Sequence, residues 1–395
     1  MSEDLKRFLY VFGPAWLVMI ADVDVASIIE GIEAGVISGP SIIIIMLLLT
    51  LPLFFIQDAA GRLGSVANVG LGEAIRKKYG ARASLLLSVP MALTDFLEYL
   101  AEFAGISIGL MLLGLPVAVG LLAFFAAHLF VVYTKRYKDA EAILIPLSFL
   151  LVLTLIISLA LFKPNFSSLF SAIVLSFKPN LSFFYLLAAS IGAVIMPWML
   201  FFHSGADARK KIGAVNMKFE TLETLIGSVV SEVLMSIVVV YGWIISAGDA
   251  GSSLNGIIAY MLSMDFSLRL FMAIGFMSSG LLALVVISMA SAWGVVEAAG
   301  LKEKHYKIIY LIESVPALLI AMFVKNYLEL ILGLMVIYSV LLIPLMFLLG
   351  KIVSDCSFMK GYALKGKRLA VYWIMASAVS VGGIVGLVSY LMSFL

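Results

Sequence analysis

Ile20-Ala21-Asp22-Val23-Asp24-Val25-Ala26-Ser27 and Gly192-Ala193-Val194-Ile195-Met196-Pro197-Trp198 are the two stretches on which the reading of this chain turns. Each lies inside a long apolar run and carries something an apolar helix resists. The first holds two carboxylates. An ionised carboxylate at the bilayer centre costs about 2.5–3.5 kcal/mol on insertion scales, so its default explanation is function. The second holds a proline, which clashes with a backbone carbonyl and removes an N–H from the helix ladder.

The surrounding sequence says that these runs cross a membrane. Of 395 residues, 63% are hydrophobic and 13% charged, with a mean hydropathy of +1.14. Soluble domains carry about a quarter charged residues, so there is too little polar surface here to cover one. Apolar runs of about twenty residues mark transmembrane helices. Eleven such runs fall at about 9–38, 41–60, 83–113, 116–133, 141–162, 182–206, 219–247, 268–298, 306–323, 328–350 and 369–393. Turn signals separate several: Ser38-Gly39-Pro40, Gly114-Leu115-Pro116, Lys163-Pro164-Asn165 and Asp249-Ala250-Gly251.

Basic residues test this count, because they gather in alternate, cytoplasmic loops. Of the 26 Lys and Arg residues, 22 lie before the first run or after the second, fourth, sixth, eighth and tenth. The other side keeps Lys163, Lys178, Arg269 and Lys325. The expectation is an all-α, multi-pass protein of the cell membrane, with a cytoplasmic N-terminus and the C-terminus on the outer side. Residues 1–395 read as one domain in the lipid bilayer, with a short interfacial helix expected within 163–181. The single Cys356 excludes an internal disulfide and a zinc or iron–sulfur pattern. Neither a secretory signal peptide nor a nucleic-acid binder is read here. No Gly-x-Ser-x-Gly with a partner histidine and no His-Glu-x-x-His occurs, so an enzyme is not expected.

The two faults lie five spans apart, as they would in a transporter with two inverted five-helix repeats. On that reading repeat one covers about 9–162, repeat two about 182–350, and an extra helix about 369–393. Spans one and six would be broken mid-membrane, because unwound backbone is tolerated there only where it lines a cavity. Asp22 or Asp24 would need a basic partner or a bound cation, and almost no basic residue lies within the spans. Further acids inside the spans are Glu30, Glu33, Asp95, Glu98, Glu102, Glu232, Glu297 and Glu313. Asp95, Glu98 and Glu102 step by three and four, which puts them on one helix face where like charges repel. They suit a proton or metal path, the alternative being a hydrated vestibule wall.

At these faults the sequence resembles the Nramp family of divalent-metal transporters. That family shows Asp-Pro-Gly-Asn in its first helix and Met-Pro-His in its sixth. Here Gly13-Pro14-Ala15-Trp16-Leu17-Val18 leads to Asp24-Val25-Ala26-Ser27, and Gly192 to Ser204 tracks the sixth-helix pattern through His203-Ser204. Arg62-Leu63-Gly64, Ala101-Glu102-Phe103-Ala104-Gly105 and Val315-Pro316-Ala317-Leu318-Leu319 are further echoes. The resemblance implies a leucine-transporter-type fold with one extra terminal helix. It also implies a site for the transported ion made by Asp24, Ser27, the Ala193 carbonyl and the Met196 sulfur. A thioether is a soft ligand that favours transition metals over Mg²⁺ or Ca²⁺; the alternative for Met196 is plain packing.

The departures from the family pattern bear on coupling. Ser27 stands for its Asn, and Val25-Ala26 for its Pro-Gly, so helix one is expected to be less broken. Trp198 stands where a histidine would titrate, Tyr310 for a span-nine arginine and Ile331 for a span-ten Gln. The family's Asp-x-x-Glu can be laid on Asp95–Glu98 or on Tyr99–Glu102. Asp95, Glu98, Glu102, Trp198 and His203 are therefore the candidate proton or metal path, with His203 alternatively structural. The leading expectation is a secondary transporter of Mn²⁺- or Fe²⁺-like ions, with the divalent ion as substrate, no cofactor and weak proton coupling. Alternatives are a Mg²⁺ carrier of an Nramp-related branch, or an organic-solute symporter of the same fold.

Overall fold

The computed structural model describes residues 2–133, 136–175, 181–246, 254–323 and 331–392. The expected turn at 249–251, Lys135, Lys178, Lys325 and the side chain of Ile331 lie outside the described residues. The helices in chain order begin with α1 (Glu3–Val11), α2 (Pro14–Ala21), α3 (Val25–Ser38), α4 (Ile42–Ala67), α5 (Leu71–Tyr79) and α6 (Ala81–Leu112). Next come α7 (Val117–Val132), α8 (Tyr137–Phe162), α9 (Phe166–Leu175), α10 (Leu181–Val194), α11 (Pro197–Lys210) and α12 (Met217–Ser246). The remainder are α13 (Leu254–Ser263), α14 (Phe266–Ala299), α15 (Tyr306–Phe323), α16 (Ile331–Val353), α17 (Cys356–Met359) and α18 (Gly366–Met392).

Every expected span has its helix. The first is the pair α2/α3 and the sixth the pair α10/α11, and the others are α4, α6, α7, α8, α12, α14, α15, α16 and α18. Within 163–181, where a short interfacial helix is expected, the described residues hold the helix α9. Helix ends differ by several residues, as where α4 runs on to Ala67, and two differences bear on the site. The first span starts at Pro14 rather than near residue 9, because Gly13, at φ 150°, turns the chain between α1 and α2. A Cβ at Gly13 would stand 1.7 Å from Glu141 Oε1, so only glycine fits the approach. The α2 N-terminus behind it is capped from α12: Glu223 Oε1 accepts from the N–H groups of Gly13 (2.6 Å) and Trp16 (2.9 Å). The second difference concerns the first fault. Despite Val25-Ala26 in place of a Pro-Gly, the helix is fully interrupted between Ala21 and Val25.

α6 and α14 pack along their lengths through the middle of the bundle, α12 lies against α3 and α4, and α10 sits between α16 and α18. The two broken helices are enclosed by this frame: every residue from Ala15 to Ile32 and from Ala189 to Ala206 is buried. Leucine, isoleucine and phenylalanine on α4, α6, α7, α8 and α18 face outward and remain exposed, as lipid-facing side chains do.

Candidate functional site

The two helix breaks face each other, and each has a different cause. In a continuous helix the Met196 and residue-197 N–H groups would bond the carbonyls of Gly192 and Ala193. Here the Met196 N–H turns to Met199 Sδ (3.3 Å), and Pro197 has no N–H to give. The Ala193 carbonyl is thereby released, and the Ser27 hydroxyl donates to it from α3 (3.1 Å). One hydrogen bond thus joins the two breaks.

At the first break no proline acts. The Val25 N–H, which would bond the Ala21 carbonyl, donates instead to both oxygens of Glu102 (3.2 and 3.3 Å). The Val23 carbonyl accepts from the Ser279 hydroxyl of α14 (2.8 Å). Asp24 is the N-cap of α3, its Oδ1 accepting from the Ser27 N–H (2.8 Å). Glu102 reaches this point because Gly105, one turn on, leaves room for Val25, whose side chain would lie 2.1 Å from a Cβ there.

Three carboxylates converge on the gap. One oxygen each of Asp24, Glu98 and Glu102 lie within 4.8 Å of one another, and all three residues are fully buried. Asp24 Oδ2 and both oxygens of Glu98 have no hydrogen-bond partner. None of the three takes part in an ion pair among the described residues. The ion pairs lie at the end of the bundle that carries the N-terminus: Lys210–Glu141 (2.7 Å), Arg209–Glu297 (3.1 Å), Arg62–Asp58 (3.5 Å) and Lys78–Asp355 (2.7 Å). Chemically, the gap is a set of hard oxygen donors closed off from solvent, with charge that only a cation or protons can balance.

The remaining sequence candidates separate. Met196, at the N-cap of α11, accepts the Trp198 indole N–H on its Sδ (3.1 Å), so Trp198 orients the thioether. Asp95 shares the α6 face with Glu98 but turns to the Tyr338 hydroxyl (3.3 Å), leaving its Oδ2 unpartnered. The two registers on α6 both reach the break: Glu102 accepts from the Val25 N–H and Glu98 lies beside Asp24 in the carboxylate group. Asp22 accepts weakly from Ser231 (3.4 Å) on the far side of α2. Tyr310 bonds His128 Nδ1 (2.9 Å), whose Nε2 meets the Ser288 hydroxyl (3.1 Å). His203 is not a lone histidine: it meets Gln57 on α4 and Glu220 on α12. Sequence reasoning missed Ser279, Glu220 and Tyr338. Each acts from a distant helix; Glu220, an acid just inside the seventh span, carries the same local signal as the acids singled out, while Ser279 and Tyr338 carry none.

The family model described as "Natural resistance-associated macrophage protein-like" (Nramp) matches residues 15–389. The chain is 25% identical over 240 residues to the divalent metal cation transporter MntH of Agrobacterium fabrum, a match covering 57% of this chain and 51% of that protein. It is 24% identical over 235 residues to MntH of Bacillus subtilis, covering 57% and 55%. The chain spans about half the length of the curated relatives it matches. The fold aligns with a crystal structure of the Eremococcus coleocola manganese transporter at a TM-score of 0.76 and 16% identity, covering 100% of this chain and 93% of that one. It also aligns with MhsT in complex with L-phenylalanine at 0.62 and 13% identity, covering 98% of each.

Proposed function

The chain belongs to the Nramp family, and on that premise we propose that it is a secondary transporter of divalent metal ions, Mn²⁺ or Fe²⁺, working by alternating access. The observation that carries this reading is the convergence of Asp24, Glu98 and Glu102 on the facing helix breaks, with no ion-pair partner among the described residues. A divalent cation balances two of those three negative charges. An organic substrate bearing a carboxylate would be repelled by them. Asp24 Oδ2, the Ser27 hydroxyl, the Ala193 carbonyl and the second lone pair of the Met196 sulfur are the proposed ligands, with Glu98 and Glu102 as flanking acids. The relatives' names, divalent metal cation transporters, agree with this assignment. The transporter is one domain, repeat one spanning about 9–162, repeat two about 182–350, and residues 369–393 forming the extra helix.

One contact favours a second reading. The Met196 sulfur already accepts the Trp198 N–H, and the other donors are all oxygen, a set that also suits Mg²⁺. Uptake of Mn²⁺, Fe²⁺, Cd²⁺, Mg²⁺ and Ca²⁺ by reconstituted protein tests both readings. Mn²⁺ and Cd²⁺ first supports the leading one, Mg²⁺ first supports the second, and no uptake of any divalent ion discards both. In Met196→Ala, a loss of Cd²⁺ preference assigns the sulfur to the ion; an unchanged order assigns it to packing.

Proton coupling is weak in this proposal, because Trp198 and Tyr310 occupy positions where the family pattern has titratable or charge-tuning residues. Metal driven into liposomes by a membrane potential should leave internal pH steady. Acidification that scales with uptake and vanishes in Glu102→Gln overturns that statement. The N-terminus is assigned to the cytoplasm on the alternation of basic loops. Exposed Cys356, the only cysteine, lies on that same side. An impermeant maleimide should label it only after cells are opened.

A further inference from the structure

About 10 Å along α11 from the break, at 1.5 Å rise per residue, lies a second group of ligand atoms. His203 and Asp207 stand one turn apart on α11, and Glu220 faces them from α12. One ligand atom from each lies within 4.8 Å of the other two, and all three residues are fully buried. Each is held in place from outside the group. His203 Nδ1 lies 3.1 Å from Gln57 Oε1, Asp207 Oδ2 accepts from Ser65 (2.7 Å), and Glu220 Oε1 accepts from Thr224 (2.8 Å). Such outer partners orient metal ligands.

What they leave facing inward is unsatisfied. Asp207 Oδ1 and Glu220 Oε2 have no hydrogen-bond partner. His203 Nε2 stands 3.2 Å from Glu220 Oε1, and in the tautomer that donates Nδ1–H to Gln57 Oε1 it turns its lone pair to that oxygen. Two donors bound to one ion at about 2.1 Å stand about 3.0–3.4 Å apart at octahedral or tetrahedral angles, which is this separation. The space is kept open by α4: a Cβ at Gly61 would lie 1.9 Å from Glu220 Oε1 and 2.7 Å from His203 Nε2.

We propose that His203, Asp207 and Glu220 form a second divalent-metal site, separate from the Asp24 site, that ties α11 to α12. One imidazole and two carboxylates neutralise a dication and suit Mn²⁺, Fe²⁺ or Zn²⁺ over Ca²⁺. The proposal stands whether or not Asp24 binds the transported ion.

Mn²⁺ is the probe. In Asp24→Ala protein, titration followed by electron paramagnetic resonance should still find one bound Mn²⁺ per chain, with a nitrogen coupling in the pulsed spectrum. That coupling reports the imidazole and cannot come from the Asp24 ligand set, which has no nitrogen donor. It should vanish in His203→Gln. Bound Mn²⁺ should fall at least tenfold in affinity when Asp207→Asn or Gly61→Ala is added, the latter keeping all three ligands but filling their space. Wild-type protein read for the same nitrogen coupling guards against a variant that fails to fold. No nitrogen coupling in the wild type, or residual binding that survives Asp207→Asn with Glu220→Gln, overturns the proposal.

Discussion

The two helix breaks differ in what holds them open. The break between α10 and α11 is written into covalent structure: Pro197 has no N–H to give the Ala193 carbonyl whatever surrounds it, and the carbonyl takes the Ser27 hydroxyl instead. The break between α2 and α3 has no proline or glycine. It is held by three side chains, Asp24 from within, Glu102 from α6 and Ser279 from α14. One break is fixed by the chain, the other by neighbours. The proposed alternating access would gain from this asymmetry, because only the second kind of break can be altered by a proton or an ion on a carboxylate.

The largest expected effect breaks the comparison at its conditional side. Asp24→Ala removes the cap of α3 and an unpartnered carboxylate oxygen together. Metal affinity at this site should fall by more than about 100-fold, or ~3 kcal/mol, and transport should cease. The protein should still insert, since a buried charge has been removed. Unchanged affinity by calorimetry in a His203→Gln background, where the second group of ligands is broken, discards the assignment of the site. Next in size is Pro197→Ala, which restores an N–H opposite the Ala193 carbonyl. Proline at N1 costs α11 little as it stands, so the expected change is in binding: with the Ala193 carbonyl taken by the new N–H, the site should hold metal about 30-fold more weakly, ~2 kcal/mol. Unchanged affinity would remove the Ala193 carbonyl from the ligand set.

How much of this the sequence reveals follows the same division. Pro197 is visible because a proline's effect is local, and the eleven spans are visible because basic residues alternate from loop to loop. The first break is visible only in part. Asp24 in an apolar run marks the place, but Val25-Ala26 suggests a helix less interrupted than the one observed. The missing information lay on α6 and α14, in Glu102 and Ser279, which no local pattern connects to residue 25. His203 repeats the lesson. Alone it reads as a histidine near a helix end, and only the fold brings Glu220 and Gln57 to it. Gly13-Pro14 was a local signal for a helix start, and the hydrophobic run masked it by continuing back to Phe8 and Leu9.

Glu102 separates capping from charge. In Glu102→Gln the side-chain carbonyl still accepts from the Val25 N–H, so the break persists and one charge is lost; affinity should drop about tenfold, ~1.4 kcal/mol. In Glu102→Ala the buried Val25 N–H loses its acceptor, at a cost of about 1–3 kcal/mol in stability. Thermal unfolding should therefore distinguish the two variants although both lack the charge. Equal melting temperatures would mean that Glu102 does not hold the break open.

The smallest effect asks whether the two breaks act together. The Ser27 hydroxyl donates to the carbonyl that Pro197 has freed, so each residue matters through the same oxygen. Ser27→Ala leaves that carbonyl buried without a donor, and stability should fall by about 1 kcal/mol. In a Pro197→Ala background the carbonyl receives a backbone N–H instead, and the same Ser27→Ala substitution should then cost little. The coupling from the full double-mutant cycle should thus be of the order of 1 kcal/mol, as for residues that share a partner. The Asp24–Ser27 N–H bond is present in all four proteins, since it uses the backbone of residue 27, so the cycle isolates the contact between the breaks. A coupling near zero would mean that the two breaks are held independently.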